Sequence, residues 1–182
     1  MKLLVKRSVK DYILYSVIIA VGILADQLTK ILTFCLMNVG DSITLIPGVL
    51  NIKYVQNRGA AFGMLADQRW IFIVVSTLAI LVFSLYLYLG HAQSALYGVS
   101  LSMVISGGIG NMIDRIALGY VVDFIQFEFV KYPVFDNGEA IWRTFPVFNG
   151  ADSFVCVGAA LLILALILDI VKEARSEKEN RK

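Results

Sequence analysis

The sequence contains few of the residues on which many enzymes and secreted domains rely. Among its 182 residues there is one histidine, His91, and there are two cysteines, Cys35 and Cys156. One histidine with no cysteine cluster nearby excludes a zinc site of the usual ligand spacing. Two cysteines in apolar surroundings do not form a disulfide framework. No glycine-rich phosphate loop follows a predicted strand. The sequence therefore predicts neither a metal nor another cofactor.

Charged residues are also scarce. They make up 16% of the chain, 58% of the residues are hydrophobic, and the mean hydropathy is +0.76. A soluble domain has about a quarter of its residues charged, so this composition predicts an integral membrane protein. The formal net charge of +2 does not point to a nucleic-acid partner.

Four apolar runs are long enough to cross a bilayer, which takes about 20 helical residues. The predicted spans cover about residues 12–36, 70–89, 96–117 and 153–171 of a single 182-residue domain. Four spans place both termini on one side, and both termini are rich in lysine and arginine, which predicts a cytoplasmic location for both. The connecting segments, about 38–69 and 118–152, are then extracytoplasmic.

The first extracytoplasmic segment has a strand-like pattern. Residues 42–55 are rich in β-branched side chains and break at Pro47-Gly48, which predicts two short strands with a turn. Residues 118–151 are predicted to be a loop with a tight turn at Asn137-Gly138, and residues 172–182 a frayed or disordered tail. The predicted fold class is an all-α membrane protein with four transmembrane helices and a small extracytoplasmic β-hairpin element.

Polar residues within the apolar segments are the candidates for function, because burying them in a membrane is costly. They come from separate parts of the chain, yet the predicted topology brings all of them to the extracytoplasmic half. The set is Asp26, Lys30, Asn57, Asn111, Asp114, Arg115, Asp123 and Asp152. Such convergence is typical of a site rather than of scattered structural polarity.

Paired carboxylates are the chemistry that this set permits. The single histidine is predicted on the opposite side of the membrane, so no serine–histidine pair can form. Two neighbouring aspartates share a proton, so one can activate water while the other protonates a carbonyl oxygen. Asp123, flanked by Val122 and Phe124, and Asp152, at the start of the fourth span, are the candidate pair. Which of them is the base stays open.

Structural explanations exist for individual candidates. Asp152 can cap the fourth helix, and Asp26 with Lys30, four positions apart, can form an internal ion pair that holds helices together. Asp114 with Arg115 can be a structural or site-orienting pair.

Two other functions stay open on the residues alone. One is a proton- or ion-coupled transporter, although only four spans, no inverted repeat and acids gathered at one surface argue against it. The other is a non-catalytic scaffold packed through glycine and serine faces. A scaffold would tolerate Asp123→Asn and Asp152→Asn.

Five motifs, in order along the chain, resemble those of the lipoprotein signal peptidase (signal peptidase II) family of bacterial membrane aspartic peptidases. They are Asp26-Gln27-Leu28-Thr29-Lys30, Asn57-Arg58-Gly59-Ala60-Ala61-Phe62-Gly63, Gly107-Gly108-Ile109-Gly110-Asn111-Met112-Ile113-Asp114-Arg115, Val121-Val122-Asp123-Phe124 and Phe148-Asn149-Gly150-Ala151-Asp152. The resemblance implies that Asp123 and Asp152 are catalytic. It implies supporting or substrate-binding roles for Asp26, Lys30, Asn57, Gly59, Asn111, Asp114, Arg115 and Asn149.

The resemblance also implies a substrate and a location. The substrate would be a prolipoprotein carrying a diacylglyceryl group on its lipobox cysteine, cut just before that cysteine. The enzyme would be a monomer among lipids of the bacterial cytoplasmic membrane, with its active site near the extracytoplasmic face. The family's β-cradle and amphipathic helix would fall within residues 38–67.

Two departures from the family pattern are visible. Gly150 stands where the family usually has a branched apolar residue, which should loosen the approach to Asp152. Asp123 and Asp152 are 29 positions apart, which is long for the family, so residues 136–144 form an extra segment for which a lid role is open.

Overall fold

The part of the chain that the structure describes contains four helices and five short strands. In the computed structural model the described residues are 8–59, 68–89, 94–136 and 139–180. The helices are α1 (Val9–Leu36), α2 (Arg69–Tyr88), α3 (Ala95–Ala117) and α4 (Gly150–Asn180). The strands are β1 (Ser42–Ile46), β2 (Leu50–Asn57), β3 (Val121–Phe127), β4 (Lys131–Asp136) and β5 (Glu139–Thr144).

All four predicted spans are helices that are long and apolar enough to cross a membrane. Their outward faces carry exposed large apolar side chains, such as Val21 on α1 and Leu78 on α2, each 58% exposed. Such faces are stable only against lipid, because each exposed apolar residue would otherwise order water around it. Cys35 and Cys156 are both free and exposed.

The first and last helices are longer than predicted. α1 begins at Val9 because Ser8 and Asp11 form a capping box, in which Ser8 Oγ accepts from the Lys10 amide at 3.1 Å. α4 begins at Gly150 and continues to Asn180. The prediction of a frayed tail from residue 172 was therefore wrong. The tail is rich in lysine, glutamate, alanine and arginine, whose helix propensity carries the helix beyond the apolar run.

The two predicted strands are confirmed as β1 and β2, and a third strand was missed. The sheet has the antiparallel order β1-β2-β3, and β4 pairs with β5 in a separate hairpin. Residues 118–151 are therefore not a plain loop, and Asp123 lies on β3. The turn at 137–138 and residues 60–67, where part of the amphipathic helix was expected, lie outside the described residues.

Helix α3 is the centre of the bundle and packs against the other three helices. Small residues make this possible: Gly98 faces the ring of Tyr15, and Gly107 faces Ala151 and Val155 of α4. Any larger side chain at these positions would collide with the neighbouring helix. Close approach at small residues is typical of helices that pack within a membrane.

Candidate active site

Asp123 is held by the sheet. It lies opposite Val55 in the β2–β3 register, while Asn57 lies opposite Val121. Asn57 is thus the diagonal neighbour of Asp123 on the same face. Its side-chain amide donates to Asp123 Oδ2 at 2.9 Å, and Asp123 is only 1% exposed.

Asp152 lies in the first turn of α4. Asn149 Oδ1 accepts from the Asp152 amide at 2.9 Å, and Asp152 Oδ2 accepts from the Asn149 amide at 3.2 Å. This reciprocal arrangement is a capping box. The helix cap is therefore Asn149, and Asp152 is not the cap residue considered from the sequence.

The side chain of Asn149 connects the two aspartates. Its Nδ2 donates to Asp123 Oδ1 at 2.7 Å, while its Oδ1 accepts from the Asp152 amide. The preceding residue, Phe148, forms an isolated β-bridge with Ile125 and so places Asn149 beside β3. A segment 26 positions away from Asp123 is thereby attached to the strand that carries it.

The side chain of Asn111, on α3, also contacts this centre. Its Nδ2 donates to Asp152 Oδ1 at 2.7 Å, and its Oδ1 accepts from Asn149 Nδ2 at 3.0 Å and from Lys30 Nζ at 2.9 Å. Three asparagines therefore supply the side-chain hydrogen bonds to the two aspartates. Neither aspartate has an ion pair among the described residues.

A cluster of Lys30, Asp26 and Asp114, called the Lys30 group below, lies next to this centre. Lys30 Nζ is 2.8 Å from Asp26 Oδ2 and 3.1 Å from Asp114 Oδ2, and all three side chains are at least 96% buried. The Asp26–Lys30 pair predicted from the four-residue spacing is thus observed. A buried ammonium group between two carboxylates offsets one of their two charges, and removing it would be costly.

The Lys30 group also fixes the backbone beside each candidate aspartate. Asp26 Oδ1 accepts from the amide of Ala151, the residue before Asp152, at 2.8 Å. Asp114 Oδ2 accepts from the amide of Val122, the residue before Asp123, at 3.0 Å. One lysine with two carboxylates thus positions both chain segments that carry the candidate pair.

Gln27 is a member of this network that the sequence analysis did not single out. Its Nε2 donates to Asp114 Oδ1 and to the carbonyl of Gly110, both at 3.1 Å. The signal was its position between Asp26 and Lys30, one residue along the helix from an acid. A glutamine in an apolar helix needs a polar partner for the same reason that an acid does.

Arg115 is not the partner of Asp114. Its guanidinium donates to the carbonyls of Asn111 and Gly59, each at 3.4 Å, and lies 5.0 Å from the ring centroid of Phe72. Asp114 instead pairs with Lys30. The two side chains diverge because neighbouring positions of a helix lie on different faces, so the pair expected between them was wrong.

Gly59 lies two residues after Asn57, the last residue of β2. Its amide donates to Asn57 Oδ1 at 3.0 Å, which orients the Asn57 amide group toward Asp123. The structure thus brings every predicted site residue into one connected network.

Glycine at position 150 packs against Asp26 rather than opening a path to Asp152. A Cβ added there would lie 3.4 Å from Asp26 Oδ1 and 3.8 Å from Asp26 Cα, which is ordinary van der Waals contact. Gly110 is different, because a Cβ there would collide with Asp26 Oδ2. The close approach of α1 to α3 at the Lys30 group therefore requires glycine at 110 but not at 150.

The environment of Asp123 changes its titration. Burial raises the pKa of Asp123 to about 7, and repulsion from the Asp152 carboxylate adds to the rise. The hydrogen bonds from Asn57 and Asn149 and the charge of Lys30 act in the opposite direction. Near neutral pH Asp123 therefore exchanges a proton readily, as an acid–base group must.

Comparison with known proteins places the chain in a family. The family model described as Signal peptidase (SPase) II matches residues 18–168. A lipoprotein signal peptidase of Halothermothrix orenii is 43% identical over 150 residues, which are 82% of this chain and 92% of the relative. One of Geobacter metallireducens is 37% identical over 93% of this chain and 98% of its own.

Solved structures agree with the sequence comparison. A structure described as a bacterial membrane enzyme superposes with a TM-score of 0.73 at 32% identity and covers 86% of this chain and 88% of its own. A second one, with the same description, has a TM-score of 0.69 at 33% identity and covers 84% and 91%. Together with the four apolar helices, this likeness makes the chain a multi-pass bacterial membrane protein.

Proposed function

Because this chain belongs to the signal peptidase II family of aspartic peptidases, we propose that Asp123 and Asp152 are its catalytic pair. The observation that carries the proposal is the bridge through Asn149, whose side chain binds both the Asp123 carboxylate and the Asp152 amide. Two carboxylates, one buried and one half-buried, with asparagine partners and no ion pair in the described ranges are suited to sharing a proton.

The reaction is the removal of signal peptides from prolipoproteins. The substrate that fits is a precursor whose lipobox cysteine carries a diacylglyceryl group, with the bond before the cysteine as the one that is cut. The acyl chains of such a substrate remain in the bilayer while the peptide bond lies at its surface. A site at the ends of spanning helices meets that bond without drawing either molecule out of the membrane.

The chemistry follows from one shared proton. The ionised aspartate takes a proton from a water molecule as the water oxygen attacks the scissile carbonyl carbon, and the protonated aspartate donates to the carbonyl oxygen. The tetrahedral diol that results collapses as the C–N bond breaks and the leaving amine nitrogen receives a proton. The pair acts as a unit, so the proton is assigned to the pair rather than to one residue.

The remaining site residues position this pair. Asn57, Asn111 and Asn149 donate to the carboxylates, and Lys30 with Asp26 and Asp114 holds the flanking backbone. Arg115 and Gly59 support the end of β2. The basic ends of the chain favour cytoplasmic termini, and this orientation supports a location of the pair near the extracytoplasmic face. The transporter interpretation has no support from the relatives, whose names are those of peptidases.

The test is cleavage of a diacylglyceryl-modified precursor by purified enzyme in lipid. Asp123→Asn and Asp152→Asn should each lower the rate by at least about 10³-fold, because each removes an acid–base group that typically contributes about 10²–10⁴-fold and also ends proton sharing. The precursor without its diacylglyceryl group should be cut far more slowly.

Glu128→Gln is the matched control, since it removes a carboxylate from the residue that follows β3 without touching the Asn149 bridge. It should cut at close to the wild-type rate. A folded Asp152→Asn or Asp123→Asn variant with near-normal cleavage would contradict the proposed pair.

A further inference from the structure

A cavity of about 300 Å³ lies beside the α3–β3 turn, away from the two aspartates. It is lined by Arg58, Arg69, Leu118, Gly119 and Tyr120. The proposed peptidase mechanism uses none of these residues. Among the described residues, two arginines and no acid line the cavity, so they make its electrostatic potential positive.

Neither arginine is neutralised within the described part of the chain. No ion pair of Arg58 or Arg69 with an acid is present there, and both residues are exposed. Arg69 leans against the turn: a Cβ added to Gly119 would lie 3.2 Å from Arg69 Nη1, and Gly119 has a φ of +83°. Glycine thus serves both the turn conformation and the close approach of the guanidinium.

The start of a spanning helix indicates where the cavity lies across the thickness of the membrane. Arg69 is the first residue of α2, and its guanidinium lies 5.0 Å from the ring centroid of Trp70, which is 66% exposed. Tryptophan at the end of a membrane helix lies at headgroup level. The positive end of the α2 dipole points toward the same place. The cavity therefore opens where the phosphate groups of a bilayer lie.

We propose that this cavity binds the phosphate group of an anionic phospholipid, with Arg58 and Arg69 as its ligands. The guanidinium fork matches a phosphate, and Arg is weakly hydrated enough to give up water for it. A bound lipid would join the end of β2, the start of α2 and the α3–β3 turn. Arg58 follows Asn57, and Tyr120 directly precedes β3, so the lipid would stabilise the two strands that hold Asp123.

The test uses the tryptophans of the protein, which number two, Trp70 and Trp142. Full-length protein with Trp142→Phe retains Trp70 alone as a fluorescent reporter beside the cavity. It is reconstituted into phosphatidylcholine bilayers with increasing fractions of phosphatidylglycerol bearing brominated acyl chains, and the quenching of Trp70 gives the relative binding constant. We expect a preference for phosphatidylglycerol of roughly five- to twentyfold, since each arginine near a lipid surface contributes up to about fivefold.

Substitutions assign the preference to the cavity. Arg58→Gln with Arg69→Gln should bring the preference close to one, and each single variant should give an intermediate value. Arg143→Gln, which removes an exposed arginine from the β4–β5 hairpin, should keep the full preference. Arg58→Lys with Arg69→Lys should lower the preference to a value between those of the parent and of the double glutamine variant, because lysine keeps the charge but lacks the guanidinium fork.

Three results would overturn the proposal. They are equal quenching by both lipids in the parent protein, a preference that survives the double glutamine change, and a change of Trp70 fluorescence on adding inorganic phosphate in a parent protein that shows no lipid preference. The last would assign the cavity to free phosphate. Trp70 quenching does not depend on peptide cleavage, so this result and that of the peptidase assay are independent.

Discussion

Two pairs of aspartates lie side by side at one end of the helix bundle, and their partners differ. Asp26 and Asp114 share the ammonium group of Lys30, at 2.8 and 3.1 Å. Asp123 and Asp152 receive hydrogen bonds from asparagine side chains and have no ion pair among the described residues. The same residue type is thus used in two electrostatic settings a few residues apart.

This difference in partners separates a structural role for one pair from the proposed catalytic role of the other. A carboxylate with a fixed positive partner is compensated, and its oxygens are free to hold backbone amides, as Asp26 and Asp114 do. A carboxylate whose partners are neutral amides keeps its burial penalty, so its proton is held near neutral pH. Asp26 and Asp114, which share Lys30, therefore hold the scaffold of the site. Asp123 and Asp152, which are bound by asparagines, can exchange protons.

Removing the lysine should have the largest effect on folding. Lys30→Met leaves two carboxylates at least 96% buried without their positive partner, which costs about 3–5 kcal/mol of unfolding free energy. Thermal unfolding in detergent measures this change. Lys131→Met, which removes an exposed lysine from β4, should leave the midpoint nearly unchanged. A stable Lys30→Met protein would show that Lys30 is not what compensates Asp26 and Asp114.

Removing a carboxyl group from the other pair should instead stabilise the protein at high pH. The pKa of Asp123 is about 7 in the folded state and about 3.9 when unfolded. The folded state therefore binds more protons between these values, and stability falls as pH rises from about 4 to about 7. Asp123→Asn removes this loss, which is up to about 4 kcal/mol.

The measurement is the unfolding midpoint of wild type and Asp123→Asn between pH 5 and pH 8. The advantage of the variant should grow with pH and level off above 7, while its cleavage activity is lost. A pH-independent difference, or a variant that becomes less stable as pH rises, would contradict the titration assigned to Asp123.

Asn149 should show a smaller effect that separates its two roles. Asn149→Ala removes both the α4 cap, worth about 0.5–2 kcal/mol of stability, and the donor to Asp123 Oδ1. A hydrogen bond to a charged group is worth about 1.5–3 kcal/mol, so activity should fall about ten- to hundredfold. Asn149→Ser retains the cap without the donor and should recover stability but not activity.

The pH profile identifies the donor role. Without the Asn149 donor the ionised form of Asp123 is less favoured, so the basic limb of the rate profile, where the pair loses its shared proton, should move to higher pH in both variants. An unmoved limb would mean that Asn149 only caps the helix.

The sequence predicted the features that depend on residues close to one another along the chain. The four spans follow from apolar runs, and the Asp26–Lys30 pair follows from a four-residue spacing on one helix. The sequence analysis missed the features that depend on residues far apart along the chain. β3 is a strand because Val121 pairs with Asn57, and Asp114 turns toward Lys30, which lies 84 positions away.

The helix ends were also missed for a local reason. A cap was one alternative for Asp152, because an acid at a helix start is favourable, yet a capping box has two members. The asparagine three residues earlier is the cap, and the acid is its reciprocal partner. The candidate pair itself was recognisable from the motifs, whereas its link through Asn149 required the bridge between Phe148 and Ile125.

The most direct test of the contrast between the two pairs is an infrared titration of the carboxyl groups in the folded, lipid-reconstituted enzyme. Protonated carboxyl groups absorb separately from carboxylates, and the difference between wild type and Asp123→Asn isolates one residue. A protonated-carboxyl band with a midpoint near pH 7, absent from Asp123→Asn but retained in Glu128→Gln, is the predicted result. A band assigned to Asp123 that titrates near pH 4 would contradict it, because Asp123 would then hold no proton to give at neutral pH.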